Sequence, residues 1–188
     1  MPRQGLTQDI IIQKSVQFIN EQGYQKLSFA ALSKLLDVKP PAMFKHFKNI
    51  DQLREYLTLV SIKMLKQKLQ DAATGRAGEA ALTSVCNAYR DFAKANRGLY
   101  QAMQPSYFGR NKEIEQAAIQ LMSIIITVLK GFEIGEEHYI HLLRVIRSSL
   151  HGFVVLELEY GFGMTANIDI SFEHQINAII FMIKSLNA

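Results

Sequence analysis

The residues best suited to chemistry lie in one short run, Lys39-Pro40-Pro41-Ala42-Met43-Phe44-Lys45-His46-Phe47-Lys48. Its side chains make and break no bonds; they are suited to recognising a polyanion. Pro41 and Ala42 are short and apolar, a match for a thymine methyl, while Lys39 and Lys45 can donate to guanine or to phosphate. Lys48 and Lys26 flank the run and add attraction that does not depend on sequence. Met43 and Phe47, four apart, share one helical face and should anchor the segment to Leu32 and Leu36, which turns Pro41, Ala42, Lys45 and His46 outward. Two prolines in the first turn remove two backbone N–H donors, so phosphate there has to be held by side chains.

The charge balance agrees with this. Residues 1–70 carry 11 Lys/Arg against 5 Asp/Glu, and residues 71–188 carry 10 against 12. The positive excess of a chain with net charge +4 thus sits in its first third, as expected if that part meets a polyanion and the rest does not. A solvated lysine surface would show the same numbers.

Other chemistries find little support. There is no nucleophile elbow with a Ser/His/Asp grouping, no glycine-rich phosphate loop and no paired carboxylates in an apolar setting, which argues against an enzyme. His138 and His141 beside Glu136 and Glu137 could face a metal from one helical side, yet two imidazoles with flexible carboxylates are better read as helix-start charge. No metal and no cofactor are expected. The single cysteine, Cys86, cannot close an internal disulfide, and the N-terminus has no secretory pattern, both of which point to the cytoplasm. The most apolar stretch, Ile119 to Leu129, is well short of the roughly 20 residues that span a bilayer.

The elements that must position these residues are helical. Thr7 can cap a first helix with Ile11, Val16, Phe18 and Ile19 along one stripe and Gly23 as its stop. Ser28 caps a second, short helix carrying Phe29, Leu32, Leu35 and Leu36. A third begins near Pro40 and reaches about Phe47. Asn49 with Gln52 three residues on resembles a capping box and opens a long fourth helix. Two short helices joined by a tight turn, the second with outward-facing polar residues, form a helix-turn-helix. Asp71 to Glu79 is the best hinge candidate. Further helices are expected at about 78–96, 98–104, 111–131, 136–160 and 170–186, with no strand. The expected fold is all-α with about nine helices, divided into a DNA-binding domain at 1–52 and a ligand-binding and dimerisation domain at 53–188.

Several of these segments resemble a known family. Ile11-Ile12-Gln13-Lys14-Ser15-Val16-Gln17-Phe18-Ile19, Gly23-Tyr24 and Ser28-Phe29-Ala30-Ala31-Leu32, followed by Leu36 to Asn49 and ending at Leu53, resemble the opening of a TetR-family transcription regulator. The resemblance implies contact with double-stranded operator DNA: Ser28 on phosphate, Lys39, Pro40, Pro41, Ala42 and Lys45 at the groove, Phe44 and His46 at the backbone. Three positions depart from the pattern. Asp37 replaces the usual turn glycine, Phe44 the usual tyrosine and Ile50 the usual lysine, which removes two expected backbone contacts. A regulator with this pattern is expected to be a homodimer and a repressor released by a small effector. The alternative is a helical ligand-binding or interaction protein that has lost sequence-specific reading.

Ala95 to Met103 and Ser149-Leu150-His151-Gly152-Phe153 resemble the sensor type named for a Trp-His-Gly signature, with Leu150 in place of the Trp. Tyr89, Phe92, Tyr100, Met103, Tyr107, Phe108 and Met122, together with His151, are candidates to line a pocket for an apolar or aromatic molecule; ordinary core is the competing account of each. Ile146, Leu150 and Phe153 in one apolar helix and Phe172, Ile176, Ile179 and Ile180 in the next offer more apolar surface than a small monomer covers, so a helix-pair dimer interface is expected there.

Overall fold

A computed structural model of the chain describes residues 5–104 and 111–187. The described residues form eight α-helices: α1 (Gln8–Gln22), α2 (Phe29–Leu35), α3 (Ile50–Ala73), α4 (Gly78–Ala95), α5 (Arg97–Ala102), α6 (Lys112–Leu129), α7 (Tyr139–Leu158) and α8 (Ile168–Lys184). With the 3-10 segment Pro40–Lys45 this makes the nine expected helices, with no strand among the described residues. The remaining 3-10 turns, Tyr24–Lys26, Glu136–His138 and Ser185–Asn187, are connections or helix ends. By compactness the chain divides into two units, 1–63 with 96–117 and 64–95 with 118–188. α3 and α6 each contribute to both. The second helix after the hinge, α5, thus belongs to the N-terminal unit, where a boundary at 52/53 would not place it. The hinge is also shorter than Asp71 to Glu79, because α3 continues to Ala73.

In the first unit local capping sets the helix starts. Thr7 Oγ1 accepts from the Ile10 N–H at 3.3 Å, and α1 stops at Gly23, whose φ of 92° suits glycine. Ser28 Oγ accepts from Ala31 N–H at 3.2 Å. At α3 half of the expected capping box forms, Asn49 Oδ1 accepting from Gln52 N–H at 2.9 Å, while Gln52 Oε1 reaches one residue further back and accepts from Lys48 N–H at 2.7 Å. Ile11, Ile19, Leu32, Met43, Phe47, Leu53 and Leu57 form a core almost without solvent contact. Burying each such side chain contributes roughly 1.5–3 kcal/mol before the entropy cost of ordering it.

α5 is fastened to this core by polar bonds at both ends. Asn20 Oδ1, on α1, accepts from Gly98 N–H at 2.9 Å and from Leu99 N–H at 3.4 Å. On α3, Ser61 Oγ donates to the Leu99 carbonyl at 2.7 Å and Thr58 Oγ1 to the Ala102 carbonyl at 2.8 Å. These bonds satisfy N–H and C=O groups that a helix of 6 residues leaves largely unpaired.

The second unit is built on α4, α7 and α8, with α7 packed against both α4 and α8. Its core includes Leu82, Val85 and Cys86 of α4, Ile146, Leu150 and Val154 of α7, and Phe172, Ile176 and Ile183 of α8. α8 is capped by Asn167 Oδ1, which accepts from Asp169 N–H at 2.8 Å.

Candidate nucleic-acid interface and sensing body

The helix-turn-helix is formed by α2 and the segment Pro40–Lys45, which is a 3-10 helix of 6 residues rather than an α-helix to Phe47. The prolines explain the shorter, tighter form. With no N–H at 40 and 41, the segment is held by bonds three residues apart, Ala42 N–H to the Lys39 carbonyl at 2.9 Å and His46 N–H to the Met43 carbonyl at 3.0 Å. Between the two helices Asp37 takes φ 53°, the left-handed conformation for which a glycine is usual. Aspartate is among the few other residues that visit this region readily.

The segment's two faces divide as its spacing predicts. Met43 and Phe47 are buried, whereas Lys39, Pro40, Pro41, Phe44, Lys45 and Lys48 are exposed, and Ala42 and His46 are half-buried. Phe44 is 59 % exposed and stands edge-on to Phe29, ring centroids 5.1 Å apart. Its ring is thus in contact with α2 while much of the side chain remains accessible to solvent. Ser28 remains exposed although its Oγ caps α2. An N-cap oxygen uses a lone pair, so its O–H is still free to donate to a phosphate.

The pocket candidates are divided between the two units. Tyr100 and Met103 belong to the first unit, and Tyr89, Phe92, Met122 and His151 to the second. Phe92 and Tyr100 are fully buried; Tyr89, Met103, Met122 and His151 are half-buried. Tyr107 and Phe108 lie outside the described residues. Met122 and His151 are both influenced by Arg147: its Nη1 lies 3.9 Å from Met122 Sδ, and its positive charge acts on His151. Gly152 has open space where a Cβ would stand, so no close helix approach accounts for this glycine within the chain.

Burial, and after it the Arg147 charge, holds the His151 imidazole below its ordinary value of 6.5. The folded chain resists a proton that the unfolded chain accepts. Stability from this site is therefore complete above about pH 6.5 and falls as pH drops below it. Thermal unfolding of His151→Gln should lose less on acidification from pH 7.5 to 5.5 than the parent; equal losses would remove His151 from the account.

The seven residues expected at a dimer interface lie mostly inside the single chain. Ile146, Leu150, Phe153, Phe172, Ile176, Ile179 and Ile180 are all between 0 and 9 % exposed within a single chain. They pack mainly within the protomer's own core, although Ile180 still borders a surface hollow lined also by Asn177, Phe181, Lys184 and Ser185. Among the residues of α7 and α8 that do reach solvent are Val145, Ser148, Gly152 and Leu156 along one face of α7, and Ile170, His174, Ala178 and Phe181 along one face of α8. The apolar periodicity showed two apolar helices but not which of two neighbours each face meets.

One cluster was not anticipated. Arg90 of α4, its side chain 9 % exposed, donates from Nε and Nη2 to the two carboxylate oxygens of Glu157 at 2.7 and 2.6 Å. Its Nη2 also lies 2.8 Å from Asp169 Oδ1. The guanidinium sits over the Phe172 and Phe153 rings, 4.8 and 5.6 Å from their centroids. Lys94 Nζ, 3.1 Å away, adds a second cation to Glu157. The signal in the sequence was an arginine at the position where the α4 stripe Leu82, Cys86, Ala93 demands an apolar residue.

Comparison with known proteins puts both parts in one context. Residues 11–57 match bacterial regulatory proteins of the tetR family, and residues 82–179 match the tetracyclin repressor-like C-terminal domain. An uncharacterized HTH-type transcriptional regulator, YobS of Bacillus subtilis, is 34 % identical over 155 residues, covering 82 % of this chain and 81 % of YobS. Among solved structures, a protein from Rhodococcus sp. RHA1 superposes with a TM-score of 0.80 at 20 % identity, over 96 % of this chain and 97 % of the other. A TetR variant from Acinetobacter baumannii AYE in complex with minocycline superposes with a TM-score of 0.72 at 18 % identity, over 98 and 99 %.

Proposed function

Since the chain belongs to the TetR family of transcriptional regulators, we propose that it is a homodimeric repressor that leaves a palindromic operator when a small apolar or aromatic effector binds its C-terminal part. The observation that carries the reading is the two-faced segment Pro40–Lys45: Met43 buried at its core, Pro41 and Lys45 exposed at its surface. Pro40, Pro41 and Ala42 meet base edges, Lys39 and Lys45 donate to guanine or phosphate, and Ser28, His46 and Lys48 hold the backbone. The DNA contacts fall within 1–52, and the protein works in the cytoplasm, where its operator lies. Two such segments have to stand about 34–36 Å apart to enter successive major grooves, which requires a dimer.

The dimer forms through the solvent-facing residues of α7 and α8. Ser148 and Gly152, one turn apart and with nothing over Gly152, allow a partner helix to come close. The effector site is centred on Met122, Arg147 and His151, with Leu150-His151-Gly152 as the counterpart of the Trp-His-Gly signature. A half-buried thioether and imidazole suit a flat, adaptable guest, and a TetR variant of the same fold has been solved in complex with minocycline.

Selection of duplex DNA on the purified protein, then titration of the winner at two salt concentrations, tests the reading. An inverted repeat bound at about 10⁻⁸ M or tighter, with affinity falling steeply as salt rises and weakened by Lys45→Ala, is the expected result. Weak binding with no shared sequence would favour the alternative, a regulator-derived module that no longer reads DNA. Phe44 and Ile50 lack the hydroxyl and the charge usual at their positions. Phe44→Tyr with Ile50→Lys should tighten operator binding about tenfold, since hydrogen bonds of this kind contribute roughly 0.5–3 kcal/mol. Unchanged affinity would mean that other residues already make those contacts.

A further inference from the structure

The Arg90 cluster joins the three elements on which the second unit is built. From α4, one guanidinium binds Glu157 in the last turn of α7 and Asp169 in the first turn of α8, the two ends of the connection between those helices. Beneath it Phe153, Phe162 and Phe172 pack against each other, with Phe153 lying 4.7 Å from Phe162 and 4.9 Å from Phe172 between centroids. Apolar packing is non-directional, so several placements of α7 against α8 can bury similar area. A bidentate fork fixes distance and angle together. The charges around it balance: Arg90 and Lys94 against Glu157 and Asp169. Glu157 is 11 % exposed while Asp169 is 76 % exposed, so the inner carboxylate sets the geometry and the outer one closes it.

We infer that Arg90 is a positioning residue for self-association: through Glu157 and Asp169 it sets the relative placement of α7 and α8, and thereby the shape of the surface they present to a second copy. The inference rests on the dimer proposed above. Burial of an ion pair is weak ground for stability, since well-packed apolar replacements often fold as well. A role in specifying geometry accounts for a charge placed on an otherwise apolar stripe.

The test separates geometry from stability. Arg90→Met with Glu157→Leu removes both buried charges at once and leaves Lys94 and Asp169, both solvent-accessible, to be hydrated. Sedimentation equilibrium over a dilution series gives the dimer dissociation constant, and urea unfolding below that concentration gives monomer stability. The expected result is a monomer close to the parent in its unfolding midpoint and a dissociation constant raised about tenfold or more, that is about 1.4 kcal/mol. A double variant that dimerises with the parental constant overturns the inference. Arg90→Lys keeps the charge without the fork, and should also weaken the dimer; if the double variant fails to fold, a parental constant for Arg90→Lys overturns the inference just as firmly. A parent that is monomeric throughout the series would instead bring down the proposed dimer. Phe181→Glu, on the exposed face and away from Arg90, locates the surface and should abolish association.

Discussion

Gly98→Ala should destabilise the N-terminal unit by roughly 3 kcal/mol, the upper end of the usual cost of forcing extra atoms into a packed core. A Cβ at position 98 would press on the carbonyl carbon and oxygen of Ile19 and come within 2.7 Å of the Asn20 nitrogen. These are backbone atoms of α1, so no side chain can rotate away. Relief requires α5 to move off α1, and that breaks the bond from Gly98 N–H to Asn20 Oδ1. The gain in helix propensity from Gly to Ala, about 1 kcal/mol, is smaller than this loss. Asn20→Ala removes the same acceptor without overlap and should cost less, on the order of 1–2 kcal/mol for two partly buried N–H groups left short of a partner. Urea unfolding of both variants checks the order. A Gly98→Ala protein within 1 kcal/mol of the parent would show that α5 is not held against α1.

Arg90→Ala should cost about 3 kcal/mol in the second unit, toward the lower end of what breaking a buried ion pair costs, because Lys94 still faces Glu157. The penalty arises mainly from Glu157, left buried with only its contact to Lys94. Its pH dependence has a definite sign. Hydrogen bonding from Arg90 holds the Glu157 carboxyl below its ordinary range in spite of burial, with Lys94 assisting. A depressed carboxylate contributes stability that is present above the unfolded value and is lost as pH falls through the folded one. The parent should therefore lose stability on acidification below the ordinary carboxylate range, and Arg90→Ala should lose less. Parallel stability profiles for the two proteins would disconnect Arg90 from Glu157.

Much of the first unit could be read directly from residue order. Thr7, Ser28 and the Asn49/Gln52 pair act on backbone groups three or four residues away, and a cap is visible wherever its residues are neighbours in the chain. The same holds for Met43 and Phe47, whose shared face follows from helical spacing alone. The 3-10 form of Pro40–Lys45 was half legible: the prolines marked the start, but the outcome depended on how six residues balance two missing donors.

The second unit was harder to read for a physical reason. Ile146, Phe153 and Ile176 show as apolar at the right period whether they meet their own chain or a second copy, so periodicity gives the face of a helix but not its neighbour. Arg90, Glu157 and Asp169 are far apart in sequence, and only folding sets a guanidinium within 2.8 Å of two carboxylates. Asn20 and Gly98, likewise, are 78 residues apart.

Residue order alone therefore determined the helical class, the helix-turn-helix and which side of Pro40–Lys45 faces out, because these depend on interactions within a turn or two of the chain. Tertiary structure alone decided that α5 belongs with the N-terminal unit, that Ile146, Phe153 and Ile176 lie in the protomer's own core while Leu156 and Phe181 remain exposed, and that a buried arginine ties those helices to α4. Each of these is a contact between distant segments, and such contacts are chosen by close packing and by the need to pair buried charge.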